Sequence, residues 1–370
     1  MEKFQQLKEK LRIVIFCGGY GTRMWPMSCK SLPKQFQPLL KEESFFKDAL
    51  GRVKLSFKSE DIFVSVPEEQ VKFIYDQAPE IRRENIIAEP ERRDTLGAVG
   101  YATSFMEKHF PGSLMAVIWG ADHLVKEKEK FNRLILAAAS VCQDKDVICK
   151  VDVWPTYPST ANGWVKIGKV VGKVNNFTVH EFQKFVEKPD LENAKKMFAD
   201  KNYLINTGYF VWRSSIMLEQ YKKYAPDCYH HLSLIQDAIG RSDEKEILRK
   251  EYSQIEKTSV DYGVLEKLPS ESVLVIPSEF GWYDAGSWDL LYEALARGER
   301  QNVTKGEVEF MESQGNLVYL PKRKTAAVIG VEGVIIVDTP DGLLVCGRKK
   351  SEMVKKFVDI LKEKGKKELL

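Results

Sequence analysis

The sequence predicts an α/β fold: a mostly parallel, mixed sheet flanked by helices, followed by a small all-β unit and a closing helix. Three observations lead there. Apolar, β-rich runs alternate with helical patterns through the first 155 residues. The first of these runs is apolar throughout and ends in glycines, as a strand buried on both faces does. After about residue 298 the texture changes to short β-rich runs separated by turns, with no long helix between them.

The elements follow in order. The polar lead-in, residues 1–10, reads as a short helix, and residues 13–17 as the first strand. A loop follows, then a helix over residues 44–55, with Ser44 suited to cap it. Strands are expected at 61–66, 86–89, 114–119 and 147–153, with helices at 94–109 and 131–142 between them. Such alternation builds a mainly parallel sheet with helices on both faces. Ligands of such sheets bind at the carboxyl ends of the strands. Farther on, β-rich runs at 315–320, 325–329, 334–337 and 343–345 are separated by turns such as Pro340-Asp341-Gly342. The closing helix, from Ser351 to about Lys364, carries Val354, Phe357, Val358 and Leu361 on one face. Two domains are expected, residues 1–298 and 299–370.

Composition narrows the function. A chain of 370 residues can bury a large core without disulfide or metal staples. Basic and acidic residues nearly balance, 56 against 53, which argues against nucleic acid or an anionic membrane as the main partner. The six cysteines form no CxxC pair, and the five histidines complete no zinc pattern. Scattered cysteines fit reduced thiols. The polar stretch Met1 to Arg12 lacks a signal peptide's apolar core, and no stretch has the length of a membrane-spanning helix. The cytoplasm is the expected location.

The strongest local signal is Gly18-Gly19-Tyr20-Gly21-Thr22-Arg23, directly after the first strand. Glycines let a backbone turn tightly and bring its N–H groups close to phosphate oxygens. Arg23 adds a planar cation suited to phosphate. A Walker A loop would need a later Gly-Lys-Ser/Thr, and a dinucleotide fingerprint a third glycine where Met24 stands. The second absence argues against a dinucleotide-dependent oxidoreductase. A plain glycine turn is the bland alternative. Against it, the loop continues through Trp25-Pro26-Met27-Ser28 and closes with Pro33-Lys34-Gln35-Phe36, adding Lys34 as a second cation. Long connections inside compact domains are more often functional than idle.

This run closely resembles the nucleotide-binding signature of mannose-1-phosphate guanylyltransferases; related sugar nucleotidyltransferases share its Gly-Gly-x-Gly-Thr-Arg part. The resemblance implies the Rossmann-like fold of nucleotide-diphospho-sugar transferases with a β-helix-like tail. It implies transfer of GMP from GTP to mannose 1-phosphate with Mg²⁺, and it assigns Gly18, Gly19, Gly21, Thr22, Arg23 and Lys34 to the nucleotide. The nucleophile would be an already ionised sugar phosphate, which needs no general base.

A triphosphate in transfer needs its charge neutralised, and Mg²⁺ held by carboxylates and phosphate oxygens does so. Asp122 lies in Gly120-Ala121-Asp122-His123 and Asp284 in Trp282-Tyr283-Asp284-Ala285-Gly286-Ser287-Trp288. Either aspartate alone is more readily a turn or a helix cap. The segments resemble the family's Ala-Asp-His and Trp-x-Asp-x-Gly-Ser-Trp elements, whose aspartates are metal ligands. Asp122 and Asp284 are therefore expected to hold Mg²⁺ and, with Arg23 and Lys34, to form the catalytic set.

Phe185-Val186-Glu187-Lys188-Pro189 resembles the family's Phe-Val-Glu-Lys-Pro motif. A carboxylate accepts hydrogen bonds from a sugar diol, and a lysine suits its phosphate; the plain reading is a surface Glu–Lys pair. Asn206-Thr207-Gly208 resembles the Asn-x-Gly element that meets the sugar, and Gly163 stands where the family has Tyr-Gly-Tyr. Gly163, Glu187, Lys188, Asn206 and Gly208 are thus expected at the sugar phosphate. Glu89-Pro90 with Arg92-Arg93-Asp94-Thr95 resembles a segment near the base, which brings in Arg93 and Asp94. Asp94, Gly97, Asn162 and Trp164 depart from the family pattern where base and sugar are chosen. A thymidylyl- or uridylyltransferase acting on glucose 1-phosphate therefore stays open. Asp261, within a segment resembling Ser-Ile-Asp-Tyr-x-Val-Met-Glu-Lys, is structural or functional with equal reason. A non-catalytic sugar-nucleotide-binding regulator would be expected to have lost Arg23, Lys34 or an aspartate, and all are present. The stretch 328–346 resembles the family's C-terminal β segment, and family habit implies a homodimer through that tail.

Overall fold

The computed structural model describes residues 2–19, 21–28, 33–38, 43–120, 123–366 and 369. The chain gathers into two units, neither continuous in sequence. The first comprises Met1–Cys17, Leu50–Trp119 and Lys126–Phe280; the second comprises Gly18–Ala49, Gly120–Val125 and Gly281–Leu370.

The chain opens with α1 (Glu2–Lys10), β1 (Leu11–Phe16), α2 (Phe45–Lys54), β2 (Ile62–Pro67), α3 (Val71–Gln77) and β3 (Ile86–Glu89). Next come α4 (Asp94–His109), β4 (Leu114–Trp119), β5 (His123–Val125), α5 (Lys128–Asp144) and β6 (Ile148–Val153). The expected order holds, with small shifts at the ends. Ser44 caps α2, its hydroxyl accepting from Lys47 N at 3.1 Å. Helix α5 extends past both expected ends, because polar residues such as Lys128 and Asp144 carry no apolar period.

A long hairpin follows, β7 (Trp164–Val174) and β8 (Phe177–Val186), then α6 (Leu191–Ala199) and β9 (Tyr203–Arg213). The unit continues with α7 (Ser214–Tyr224), α8 (Pro226–Ala238), α9 (Glu244–Tyr252), α10 (Val260–Gly263) and β10 (Val273–Ser278). The nine-stranded sheet has the order β3-β2-β1-β4-β9-β6-β10-β8-β7. Strands β1 to β4 pair in parallel, as do β6 and β10. Strand β9 lies between β4 and β6, antiparallel to both, and β8 is antiparallel to β10 and β7. The reversal of β8 and β9 makes the sheet mixed.

Side chains alternate between the two faces of the sheet, and on its central strands both faces are buried. On β9, Phe210 and Trp212 enter the apolar cluster with Val14, Val117, Val275 and Tyr221. Tyr209 instead meets Phe131 of α5, ring centroids 4.8 Å apart. Burying each such aromatic contributes roughly 1.5–3 kcal/mol.

In the second unit, β5 pairs antiparallel with β11 (Trp282–Asp284). Then come α11 (Trp288–Leu295), β12 (Val303–Lys305), β13 (Glu307–Met311), β14 (Leu317–Tyr319), β15 (Thr325–Ile329), β16 (Val334–Thr339), β17 (Gly342–Gly347) and α12 (Met353–Glu363). Strands β12, β14 and β16 stack in parallel, as do β13 and β15, so successive turns of chain coil like a β-helix. Trp288, Leu317, Ile335, Val354, Val358 and Leu361 share one apolar core. Phe357, expected on the same face of α12, is 40% exposed and meets Trp25 of that core edge-on.

Candidate active site

Within the second unit, the glycine loop turns at Gly19 and Gly21, whose φ angles of 94° and 64° fall in the left-handed region. Gly21 is doubly constrained, because a Cβ there would lie 2.6 Å from Lys34 Cβ and 2.9 Å from Ser28 Oγ. A short turn, Thr22–Met24, follows and carries Arg23. Met24 fills the core below it, alongside Trp288. Lys34 is buried, and its ammonium donates to the Ala285 carbonyl at 3.1 Å. Gly18 and Gly19 are exposed and Thr22 is half-buried.

The ribbon of β5 and β11 presents Asp284 opposite His123. The Asp284 carboxylate accepts from Gly286 N at 2.6 Å. A Cβ on Gly286 would sit 2.8 Å from Asp284 Oδ1 and 3.2 Å from Arg23 Nη2. Glycine at 286 therefore leaves room for the guanidinium and the carboxylate to be neighbours. Arg23 also pairs with Glu352 at 3.5 Å, an exposed contact worth little. Arg23, Lys34 and Asp284 are thus brought together; Asp122 lies outside the described residues. His123 packs edge-on to Trp282 at 5.2 Å, which fits a structural role.

The residues expected at the sugar phosphate lie together in the first unit. Asn206 N donates to the Gly163 carbonyl at 2.9 Å. A Cβ on Gly163 would meet the Phe185 ring at 2.6 Å and Glu187 Oε2 at 2.8 Å, so glycine leaves those two side chains the room they occupy. Gly208, at φ 75°, donates its N–H to Asn206 Oδ1 at 3.1 Å, and its carbonyl accepts from Trp119 Nε1 at 2.8 Å. Glu187 and Lys188 form an ion pair at 2.7 Å, with Lys188 at φ 40°. Asn162 and Trp164 bond within their own loop: Ser159 Oγ donates to Asn162 Oδ1, and Trp164 Nε1 donates to the Ser159 carbonyl.

Two residues that sequence reading passed over belong to this cluster. Lys150 and Asp152 of β6 are buried, and the Lys150 ammonium donates to Asn206 Oδ1 at 2.8 Å. Two charges inside an otherwise apolar strand were the available signal. Lys150, Phe185, Phe210, Asp261 and Glu266 line a cavity beside them. Burial pushes the Asp261 carboxyl up, Lys150 pulls it back and Glu187 adds to the rise.

The segment expected near the base sits in the same unit. Arg93 pairs with Glu91 at 2.9 Å. Asp94 opens α4 at φ 56°, a conformation that Asp and Asn tolerate, and its carboxylate accepts from Thr95 N. Gly97 has a physical reason: a Cβ there would lie 2.7 Å from Arg93 Cβ and 3.1 Å from Tyr252 Oη. Glu89, at the end of β3, is buried and accepts from Ser65 Oγ and Tyr252 Oη. Burial pushes its pKa up to about 7, against the pull of those two hydroxyls.

The nucleotidyl transferase family model matches residues 12–301. The chain belongs to that family. A second model, the mannose-phosphate isomerase/GMP-like β-helix domain, matches residues 306–361. The chain is similar to the Pseudomonas syringae alginate biosynthesis protein AlgA, 31% identical over 96% of this chain and 72% of that protein. It is also similar to the mannose-1-phosphate guanylyltransferase of Escherichia coli K12, 30% identical over 98% of this chain and 75% of that protein. Among solved structures, a Thermus thermophilus protein described as a mannose-1-phosphate geranyltransferase superposes with a TM-score of 0.84. It is 26% identical, over 95% of this chain and 99% of its own. The fold is therefore the expected one, and the chain is a nucleotidyltransferase. No helix among the described residues is long and apolar enough to cross a membrane.

Proposed function

We propose that this nucleotidyltransferase transfers GMP from GTP to α-D-mannose 1-phosphate, giving GDP-mannose and pyrophosphate. The observation that carries the reading is the meeting of Arg23, Lys34 and Asp284, from separate stretches of sequence, beside the glycine loop. Two cations and a carboxylate at a glycine turn suit a triphosphate with its counter-ion. Relatives named mannose-1-phosphate guanylyltransferase support the choice of base and sugar.

An ionised phosphate oxygen of the sugar 1-phosphate attacks the α-phosphorus of GTP. The new bond joins that oxygen to phosphorus, and the bond to the β-phosphate bridge breaks, releasing pyrophosphate. Arg23 and Lys34 neutralise the departing phosphates; Lys188 steadies the incoming phosphate; Glu187, Asn206 and the Gly163 backbone hold the sugar. Catalysis is then positioning and charge neutralisation. The donor set fits Mg²⁺: Asp284 is a hard oxygen ligand, oriented by a backbone N–H. Mg²⁺ is commonly kept by one or two carboxylates plus substrate phosphates. Asp284, with Asp122, would hold it, and it would supply further charge neutralisation.

In the same proposal residues 1–298 carry the reaction and residues 299–370 form the supporting β domain. Homodimer contacts through that tail and a cytoplasmic location complete it. The test is pyrophosphate release from GTP, ATP, UTP and dTTP, each with mannose 1-phosphate and with glucose 1-phosphate. GTP with mannose 1-phosphate should be fastest; a faster pairing of UTP or dTTP with glucose 1-phosphate would overturn the assignment of base and sugar.

A further inference from the structure

Strand β6 buries two opposite charges, Lys150 at 4% exposure and Asp152 at none. A lone ammonium placed there would be strongly disfavoured unless paired. Lys150 meets that requirement in three ways. Its Nζ lies 3.5 Å from Asp152 Oδ2, donates to Asn206 Oδ1 at 2.8 Å, and sits 5.4 Å and 4.9 Å from the Phe185 and Phe210 ring centres. Asp152 in turn accepts from Thr207 N at 3.1 Å. The pair therefore grips both sides of the Asn206–Thr207 link, where β9 shifts register against β6 between Val151 and Val153.

The Asn206 amide is fixed by this arrangement. Its Oδ1 takes hydrogen bonds from Lys150 Nζ and from Gly208 N, groups that can only donate. The oxygen must face them, so the Nδ2 side, the amide's donor, is the one turned to other partners; no described residue accepts from it. We propose that Lys150, held by Asp152, is a positioning residue for the sugar site: it sets Asn206 to donate, through Nδ2, to an oxygen of the sugar phosphate. Glu187, near Gly163, offers only acceptors. The site thus reads one sugar oxygen as an acceptor and another as a donor. This rests on the proposed function, in which Asn206 meets the sugar.

The test is a mutant cycle of wild type, K150M/D152N, N206A and the triple variant, with each substrate varied at saturating levels of the other. K150M/D152N removes both charges together, and Asn at 152 keeps an acceptor for Thr207 N. It should raise KM for mannose 1-phosphate about tenfold, the size of a lost charged hydrogen bond, and leave KM for GTP within about twofold. In the N206A background the same two substitutions should change KM by less than about twofold, because Lys150 acts through Asn206. Equal losses in both backgrounds, or equal rises in both KM values, would overturn the proposal. Melting curves establish folding. If K150M/D152N does not fold, K150Q/D152N runs the same cycle, with an expected rise of about threefold and the same contrary results. Should wild type not use mannose 1-phosphate, the functional reading fails first. The cycle then runs with the sugar 1-phosphate that wild type does use, and the coupling of Lys150 to Asn206 stands or falls on its own.

Discussion

Lys34 and Asp284 are joined through a single peptide group: the Ala285 carbonyl accepts from the Lys34 ammonium at 3.1 Å, and the Gly286 N–H of the same peptide donates to the Asp284 carboxylate at 2.6 Å. Cation and carboxylate therefore polarise one amide from its two ends. A change at either side chain is felt at the other, which links the proposed phosphate and metal roles.

Lys34→Met keeps the buried stem and removes the charge. On the proposed reading it lowers kcat by about 10²–10³-fold, the scale of losing one positioned electrostatic partner. Folding, followed by circular dichroism, should be retained. A near-normal kcat would remove Lys34 from the reaction.

Asp284→Asn weakens the oxygen ligand proposed for Mg²⁺ while keeping its shape. The half-saturating Mg²⁺ concentration should rise at least about tenfold, since losing even an outer partner of a metal costs that much. An unchanged Mg²⁺ titration would assign Asp284 to structure alone.

Gly163→Ala puts a methyl 2.6 Å from the Phe185 ring and 2.8 Å from Glu187 Oε2. Overpacking of this kind costs about 1–3 kcal/mol and here falls on the proposed sugar site. KM for mannose 1-phosphate should rise about tenfold with KM for GTP little changed. A variant with ordinary kinetics for both substrates would place the sugar elsewhere.

Glu89 makes stability depend on pH. Burial raises its folded pKa from 4.5 to about 7. Between those values the folded chain keeps a proton that the unfolded chain has lost. Its contribution is therefore fully present below pH 4.5, falls as pH rises, and levels off above about 7. The difference is on the order of 3 kcal/mol. Glu89→Gln removes it, so the Tm of wild type minus that of the variant should be larger at pH 5 than at pH 8. A pH-independent difference would show that Glu89 titrates normally.

Much of this was legible because it is local. The glycine loop, Arg23 and Lys34 lie within one signature, and α4 spans Asp94–His109 as its spacing predicts. What escaped depends on distant partners. Nothing in the run 203–213 says that β9 lies between β4 and β6, because strand order is set by packing across the sheet. Residues 18–49 and 120–125 cluster with 281–370, an association that no linker or composition shift announces. Lys150 and Asp152 were passed over, since a charge in an apolar strand has no local explanation and Asn206, which accepts from Lys150, lies 56 residues away.

The central claim, attack of a sugar phosphate on the α-phosphorus of GTP, is tested most directly by following labelled phosphorus. With mannose 1-phosphate and Mg²⁺, label in the α-position of GTP should appear in GDP-mannose, and label in the γ-position should appear only in pyrophosphate. Gamma label in a sugar product, or alpha label released as free GMP without GDP-mannose, would contradict the account.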